Sequence, residues 1–307
     1  MDAIVVRGLT KTYGDLLAVR EIDLTVQVGE TFGILGPNGA GKTTTLEMIE
    51  GLTRPDAGTV EILGESVWPD PRRVQRRIGV QLQKTALFDN LDASELLALF
   101  CDLYGAPRDA ARIAQLLETV GLETKSGALV RELSGGQQQR LAIALALVHE
   151  PEIVFLDEPT TGLDPQARRN LWDVIRAITS EGRTVVITTH YLEEAEELCD
   201  RTAIMDTGSV IALDSPSTLI RELGPSSRVT FAADGLARDE LSGLPAVTAV
   251  ADRDDGTLDL VSEAPQLTLV GLVGLAEERH VELRDLAVRR PSLEDVFLHL
   301  TGREFRE

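Results

Sequence analysis

Three short stretches hold residue types at spacings suited to handling phosphate. The first, Gly36-Pro37-Asn38-Gly39-Ala40-Gly41-Lys42-Thr43, fits G-x-x-x-x-G-K-[ST] at every fixed position. A chance match in a chain this long is on the order of one per cent at average residue frequencies. Glycines let backbone N–H groups converge on the β- and γ-phosphates of a nucleotide, at a helix N-terminus whose dipole favours anions. Lys42 adds a mobile cation there, Thr43 offers a hydroxyl to Mg²⁺, and Thr44 offers one to the α-phosphate. A plain glycine turn is the competing reading. It fits less well, because a buried strand precedes the motif and a helix follows.

The second stretch is IVFLDEP. Four apolar residues bury a strand, so Asp157 and Glu158 emerge at its carboxyl end, where open sheets place ligands. Asp157 is placed to hold Mg²⁺ through water, and Glu158 to polarise an attacking water. The pair by itself also suits a helix cap; the upstream phosphate loop tips the reading towards chemistry. The third stretch is LSGGQQQR, Leu133 to Arg140. Ser134, Gly135, Gly136 and Gln137 form a small polar nest at the start of a helix, a second shape that binds phosphate, with no lysine of its own.

The elements that must position these residues are legible. AIVVRGL, LAVREIDLTVQ and TFGILG read as strands broken by Gly-Asp and Val-Gly-Glu turns, and KTTTLEMIEGL as the helix after the phosphate loop. VQRRIGVQLQ reads as a further strand. From about Asp92 to Leu147 the period is helical in SELLALFCDLYG, ARIAQLLETVGL and GGQQQRLAIALAL. EIVFLDEP and TVVITTH are short, buried, parallel-type strands, each leading into a helix. AIMDTGSVIALDSP reads as a hairpin. Strand–helix alternation of this kind predicts an α/β fold around a parallel sheet.

With these residues in place, the chain resembles the nucleotide-binding subunits of ATP-binding-cassette (ABC) proteins over about residues 3–220. Further matches follow in family order. Tyr13, in KTYG, matches the aromatic that stacks on adenine. Gln83, in IGVQLQ, matches the glutamine at the Mg²⁺ and membrane-partner contact, although Gln81-Leu82 stand where a more usual stretch has Leu-Pro. Gly162-Leu163-Asp164 matches the dimer-contact loop, and His190 the switch histidine at the γ-phosphate. The resemblance implies a P-loop NTPase cassette, a RecA-like core with antiparallel β and helical subdomains. It implies ATP and Mg²⁺ as ligands, with Thr43, Gln83 and Asp157 around the metal and Lys42, Glu158 and His190 at the chemistry. It also answers why two phosphate-reading elements share one chain. In the family two copies lie head to tail, and LSGGQ of one completes the site on the phosphate loop of the other.

The cassette is expected to span residues 1–224, with a helical subdomain at about 84–150. The Gly224-Pro225-Ser226-Ser227 stretch reads as a linker. Beyond it, 225–307 reads β-α-β-β-α-β, a small α+β ferredoxin-like accessory domain. Its closing helix carries Leu293, Val296, Phe297 and Leu300 on one stripe, fit either to pack on its own sheet or to meet a twin. The ending RRPSLEDVFLHLTGRE looks like that of ATPase subunits of ABC-2-type exporters, the daunorubicin-type drug-resistance group.

Composition narrows the partners. The 307 residues carry 30 Lys+Arg against 50 Asp+Glu, a net charge of −20, so a basic stripe for nucleic acid is missing and no nucleic-acid partner is expected. Only Lys11, Lys42, Lys84 and Lys125 are lysines, so Lys42 is a rare residue at a chosen place. Cys101 and Cys199 sit in apolar, helix-like contexts and read as buried thiols. MDAIVVRGLT does not read as a signal peptide, and no window reaches the roughly 18 apolar residues of a membrane span. A cassette of this kind needs a separate integral membrane permease, with the chain cytoplasmic and peripheral on the inner face of the membrane. The implied function is ATP-driven export of a hydrophobic or amphiphilic compound. The rival is a non-transport ABC ATPase.

Overall fold

The computed structural model describes residues 1–82, 87–224, 227–252, 257–289 and 291–302. Two long antiparallel strands open the chain, β1 (Asp2–Tyr13) and β2 (Leu16–Gln27). They are followed by β3 (Thr31–Leu35) and α1 (Lys42–Ile49). Then come β4 (Ala57–Ile62), β5 (Glu65–Ser66), α2 (Arg72–Gln75) and β6 (Ile78–Gln81). Three helices make the helical part: α3 (Ala93–Tyr104), α4 (Ala110–Thr119) and α5 (Gly135–Ala146). The chain returns through β7 (Ile153–Asp157), α6 (Pro165–Ser180), β8 (Thr184–Thr189) and α7 (Leu192–Leu198). The hairpin β9 (Arg201–Asp206) and β10 (Ser209–Asp214) leads into α8 (Pro216–Glu222).

One sheet runs β2-β1-β4-β5, and a second runs β10-β9-β3-β8-β7-β6. In the second, β9, β3, β8, β7 and β6 are parallel, and only β10 is reversed. Every residue of β3, β7 and β8 is buried, as expected of parallel strands covered on both faces. Because β3, β8 and β7 are neighbours, their carboxyl ends deliver Gly36, His190 and Asp157 to one edge. The core packs the antiparallel sheet on the parallel one: Ile4, Leu9, Phe32, Leu46, Met48 and Phe155 belong to one apolar cluster.

Two local outcomes differ from the sequence reading. VQRRIGVQLQ supplies a strand only at Ile78–Gln81; its first residues close α2, which Pro71 starts with φ −70° already set for a helix. Strands β4 and β5 were not legible, because Ala57, Gly58 and Glu61 are poor strand formers. Gly58 is nevertheless required: its φ is +89°, and a Cβ there would lie 2.4 Å from the Gly8 carbonyl oxygen on β1.

The first compact unit ends at Pro216, and a second begins at Ser217. Pro225 and Ser226 of the expected linker lie outside the described residues. The second unit holds β11 (Ser227–Ala232), α9 (Arg238–Ser242), β12 (Val247–Asp252), β13 (Leu258–Ser262), α10 (Pro265–Arg279), β14 (Arg284–Arg289) and α11 (Leu293–Thr301). Its antiparallel sheet runs β12-β13-β11-β14 over a core of Val229, Phe231, Leu241, Leu260 and Leu272. Arg228 ties α11 to the sheet, donating to Asp259 at 3.1 Å and to Asp295 at 2.7 Å. Leu293, Val296 and Phe297 are buried within the chain, and Leu300 alone of the stripe is exposed. Cys101 and Cys199 are buried free thiols. Among the described residues no helix is long and apolar enough to cross a membrane.

Glu50, the residue after α1, is 2 % exposed, and its Oε1 has no hydrogen-bond partner among the described residues. Burial, with Asp157 and Glu47 nearby, pushes its carboxyl from the ordinary 4.5 up to about 8. A carboxyl raised in the folded state contributes its full stability below the unfolded value and loses it as pH rises through the folded one. Stability should therefore fall between about 4.5 and about 8. Glu50→Gln, neutral throughout, is expected to gain on the order of a few kcal/mol over the parent at pH 8.5 and little at pH 4.5. Thermal melts at the two pH values check this. An equal difference at both would mean that Glu50 does not carry the pH dependence.

Candidate active site

The phosphate loop leaves β3 at Gly36 and enters α1 at Lys42. Its conformation needs glycine at two places above all. Gly41 has φ +96°, and a Cβ there would lie 2.5 Å from the Ala18 carbonyl oxygen; Gly36 would meet the Met205 carbonyl oxygen at 2.4 Å. Among the described residues no side chain caps α1, so its first N–H groups are left without an internal acceptor beside the cleft. The cleft, about 440 Å³, is lined by Tyr13, Leu16, Ala18, Arg20, Asn38, Gly39, Gly41, Lys42, Thr43, Thr44, Glu158 and the Thr207-Gly208 turn. That volume suits a small organic ligand. Tyr13 ends β1 half-exposed at the cleft wall, and Ala40 is buried beneath the loop.

Lys42, 4 % exposed, donates to the carbonyl oxygens of Gly36 at 2.8 Å and Pro37 at 3.3 Å, and its Nζ lies 3.3 Å from Glu158 Oε1. Burial pulls the Lys42 ammonium down, against the attraction of Glu158. The other oxygen of Glu158 accepts from Thr161 Oγ1 at 3.2 Å and lies 3.2 Å from His190 Nδ1, off the axis of a good hydrogen bond. Burial by itself would raise the Glu158 carboxyl; Lys42 and then His190 outweigh it and hold the carboxyl below its ordinary range. Glu158 also has φ +46°, a rare backbone for a residue with a side chain. Its N–H, donating to both Thr188 oxygens at 3.0 and 3.1 Å, fixes that turn.

Asp157 accepts from Thr43 Oγ1 at 3.3 and 3.4 Å and from Thr188 Oγ1. Burial raises its carboxyl, partly offset by those hydroxyls. Thr43 and Asp157 thus bring two oxygen donors to one point beside the phosphate loop. An all-oxygen pair suits Mg²⁺, which keeps most of its ligands as water and phosphate. Gln83, the third expected metal neighbour, lies outside the described residues.

Ser134, Gly135, Gly136 and Gln137 do not line this cleft. They start α5 as a reciprocal cap. The Ser134 N–H donates to Gln137 Oε1 at 2.9 Å, and the Gln137 N–H donates to Ser134 Oγ at 3.4 Å. Ser134 and Gly135 are exposed. Gly136 has a packing reason too, since a Cβ there would lie 2.9 Å from Ala167 Cβ on α6. Asp164 caps α6, accepting from the N–H groups of Gln166 and Ala167 at 3.0 and 2.9 Å. Sequence reasoning missed Arg20, Thr161, Thr188 and the Thr207-Gly208 turn. No motif marks them; Thr161 meets Glu158 within its own loop, and tertiary packing brings the others to the site.

Fold and site together define a nucleotide-hydrolysing P-loop ATPase whose signature segment stands away from its own nucleotide cleft. Residues 19–161 match the family model described as ABC transporter. The chain is 44 % identical to the Nod factor export ATP-binding protein I of Burkholderia orbicola (strain AU 1054), over 98 % of this chain and 97 % of that protein. It is 42 % identical to the daunorubicin resistance ATP-binding protein DrrA3 of Streptomyces coeruleorubidus, over 99 % and 97 %. Among solved structures, the ATP-binding cassette MJ0796, a dimer in a post-hydrolysis state bound to ADP and Pi, superposes with a TM-score of 0.62 at 30 % identity, over 69 % of this chain and 98 % of that one. The chain belongs to the ABC transporter family as an ATP-binding subunit, and it is an ATPase.

Proposed function

We propose that this ATPase powers export of a hydrophobic or amphiphilic compound through a separate integral membrane permease, working as a head-to-tail homodimer at the cytoplasmic face of the membrane. The observation that carries this reading is similarity along nearly the whole chain, second unit included, to proteins named for export and drug resistance. An exposed apolar surface supports a membrane partner: Leu82, Phe88 and Tyr104 are about half exposed around one groove with Leu87 and Phe100.

The chemistry follows from the residues. Tyr13 stacks on the adenine, and the loop from Gly36 to Thr44 wraps the phosphates with backbone N–H groups. Arrival of the γ-phosphate draws Lys42 away from Glu158 and the two carbonyls, because the phosphate carries more charge. Glu158, kept ionised, then accepts a proton from the attacking water, and His190 holds the γ-phosphate from the other side. Thr43 and Asp157 would hold Mg²⁺, the family role of Gln83 being a further expected contribution; when bound, the ion would neutralise phosphate charge. Ser134 and Gly136 of the second copy close over the γ-phosphate at the free start of α5. Each ATP thus joins two chains, and hydrolysis releases them, turning binding free energy into movement of the permease.

The test is co-expression with a candidate permease and reconstitution in vesicles. Addition of ATP on the side of this chain should drive a fluorescent amphiphile out of that compartment. Copurification with the permease should be lost in a Phe88→Asp, Tyr104→Asp variant that still hydrolyses ATP. ATP hydrolysis without permease binding or transport would favour the non-transport reading.

A further inference from the structure

Among the buried acids the mechanism does not use, one lies next to the γ-phosphate site. Glu194, on α7 four residues beyond His190, is 0 % exposed. Its Oε2 accepts from Thr160 Oγ1 at 3.1 Å, and its Oε1 accepts from Trp172 Nε1 at 3.1 Å. Burial pushes the carboxyl up, against the Thr189, Trp172 and Thr160 donors and the charge of Arg168. The three donors come from three different segments. Thr160 lies in the loop between Glu158 and the Asp164 cap. Trp172 is on α6, which that cap starts. Thr189 immediately precedes His190. The loop is short and internally bonded: Thr161 N–H donates to the Glu158 carbonyl oxygen at 3.2 Å, and Leu163 N–H to that of Thr160 at 3.2 Å. A shift at Thr160 therefore moves Glu158 on one side and Gly162-Leu163-Asp164 on the other.

We propose that Glu194 is a positioning residue that locks the His190 segment to the Glu158–Asp164 loop, so that the two sides of the γ-phosphate site move as one body. A charged or polar hub buried among its partners is costly to leave half-satisfied, so the segments it joins share one arrangement or all rearrange together. A displacement of His190 by nucleotide would pass through α7 and Glu194 to Thr160 within three buried side chains. The substitution that cuts the tie need not touch nucleotide or water. This inference rests on the roles assigned to Glu158 and His190 above.

Three variants test it in the full-length chain: Glu194→Ala removes the hub, Glu194→Gln keeps one acceptor, and Thr160→Val cuts only the loop link. For Glu194→Ala and Thr160→Val, kcat per ATP-binding site should fall on the order of 10- to 100-fold while KM for ATP stays within about twofold. Glu194→Gln should fall between these and the parent. A spectroscopic reading accompanies the rates. The chain has two tryptophans, so Trp68→Phe leaves Trp172 as sole reporter. Its emission should change when ATP binds in that background and stay constant when Thr160→Val is added. A hub that only holds the fold would lower the melting temperature of Glu194→Ala but leave kcat per binding site and the Trp172 response of Thr160→Val at parental values, and that result overturns the proposal. If Glu158→Gln itself keeps normal turnover, the site assignment fails instead.

Discussion

Glu158→Gln is expected to lower ATP turnover by on the order of 10²–10⁴-fold, the usual loss when a general base is removed. The side chain keeps its shape, so the cleft and the phosphate loop remain. What disappears is the ability to take a proton. In the parent that ability is ready at neutral pH, because Lys42 and His190 overcome burial and keep the carboxyl ionised. The amide leaves Lys42 with its two carbonyl acceptors at 2.8 and 3.3 Å and without the Glu158 charge, only the weaker pull of Asp157 remaining, so Lys42 is freer to meet phosphate. ATP affinity should thus be equal to or tighter than the parent's. If hydrolysis releases the dimer as proposed, the variant should accumulate as an ATP-bound dimer. Phosphate release, equilibrium ATP binding and sedimentation with and without ATP measure the three consequences. Near-parental phosphate release would remove Glu158 from its role.

Lys42→Ala and Ser134→Arg are each expected to abolish turnover alone, by at least two orders of magnitude, the scale typical of losing a group that stabilises transferring phosphate. Mixed, they should regain activity. In the proposed head-to-tail dimer a heterodimer would have one site carrying both defects and one carrying neither, since the intact phosphate loop of one chain would face the intact Ser134 segment of the other. With random pairing in equal amounts, roughly a quarter of the sites are intact, so activity should approach a quarter of the parent's. The structure motivates the cross. Ser134 and Gly135 are exposed, reciprocally capped with Gln137 and outside the cleft lining, so the segment is preformed and turned to solvent. No recovery, with heterodimers demonstrated by differently tagged chains, would mean that each site closes within one chain.

The extent to which each feature was legible follows its physical origin. The phosphate loop, the Asp157-Glu158 strand end and the buried runs of β3, β7 and β8 were visible, because backbone conformation and burial act within a few residues. Glycine is the residue that accepts φ +96° at position 41, and an unbroken apolar run is what a strand buried on both faces requires. The short strands β4 and β5 were not visible, because pairing with β1, rather than local propensity, makes Ala57–Ile62 extended. The VQRR segment read as strand, and its first two residues, Val74 and Gln75, close a helix instead, because Pro71 sets the turn while alternation carries no such constraint.

The sequence by itself determined the family pattern, and it carries the assignment of residues to phosphate and of an acid to water. Tertiary structure alone decided their company. The order β3-β8-β7 sets Lys42, Glu158 and His190 within 3.3 Å contacts although they are far apart in the chain. It likewise turned Thr188 into a partner of the Asp157 carboxylate and of the Glu158 N–H, and Glu194 into a hub joining three segments. The reason is that local rules fix the conformation of each segment. The neighbours of a strand end depend on sheet order, which is set by the packing of the whole domain and leaves no mark on any single stretch.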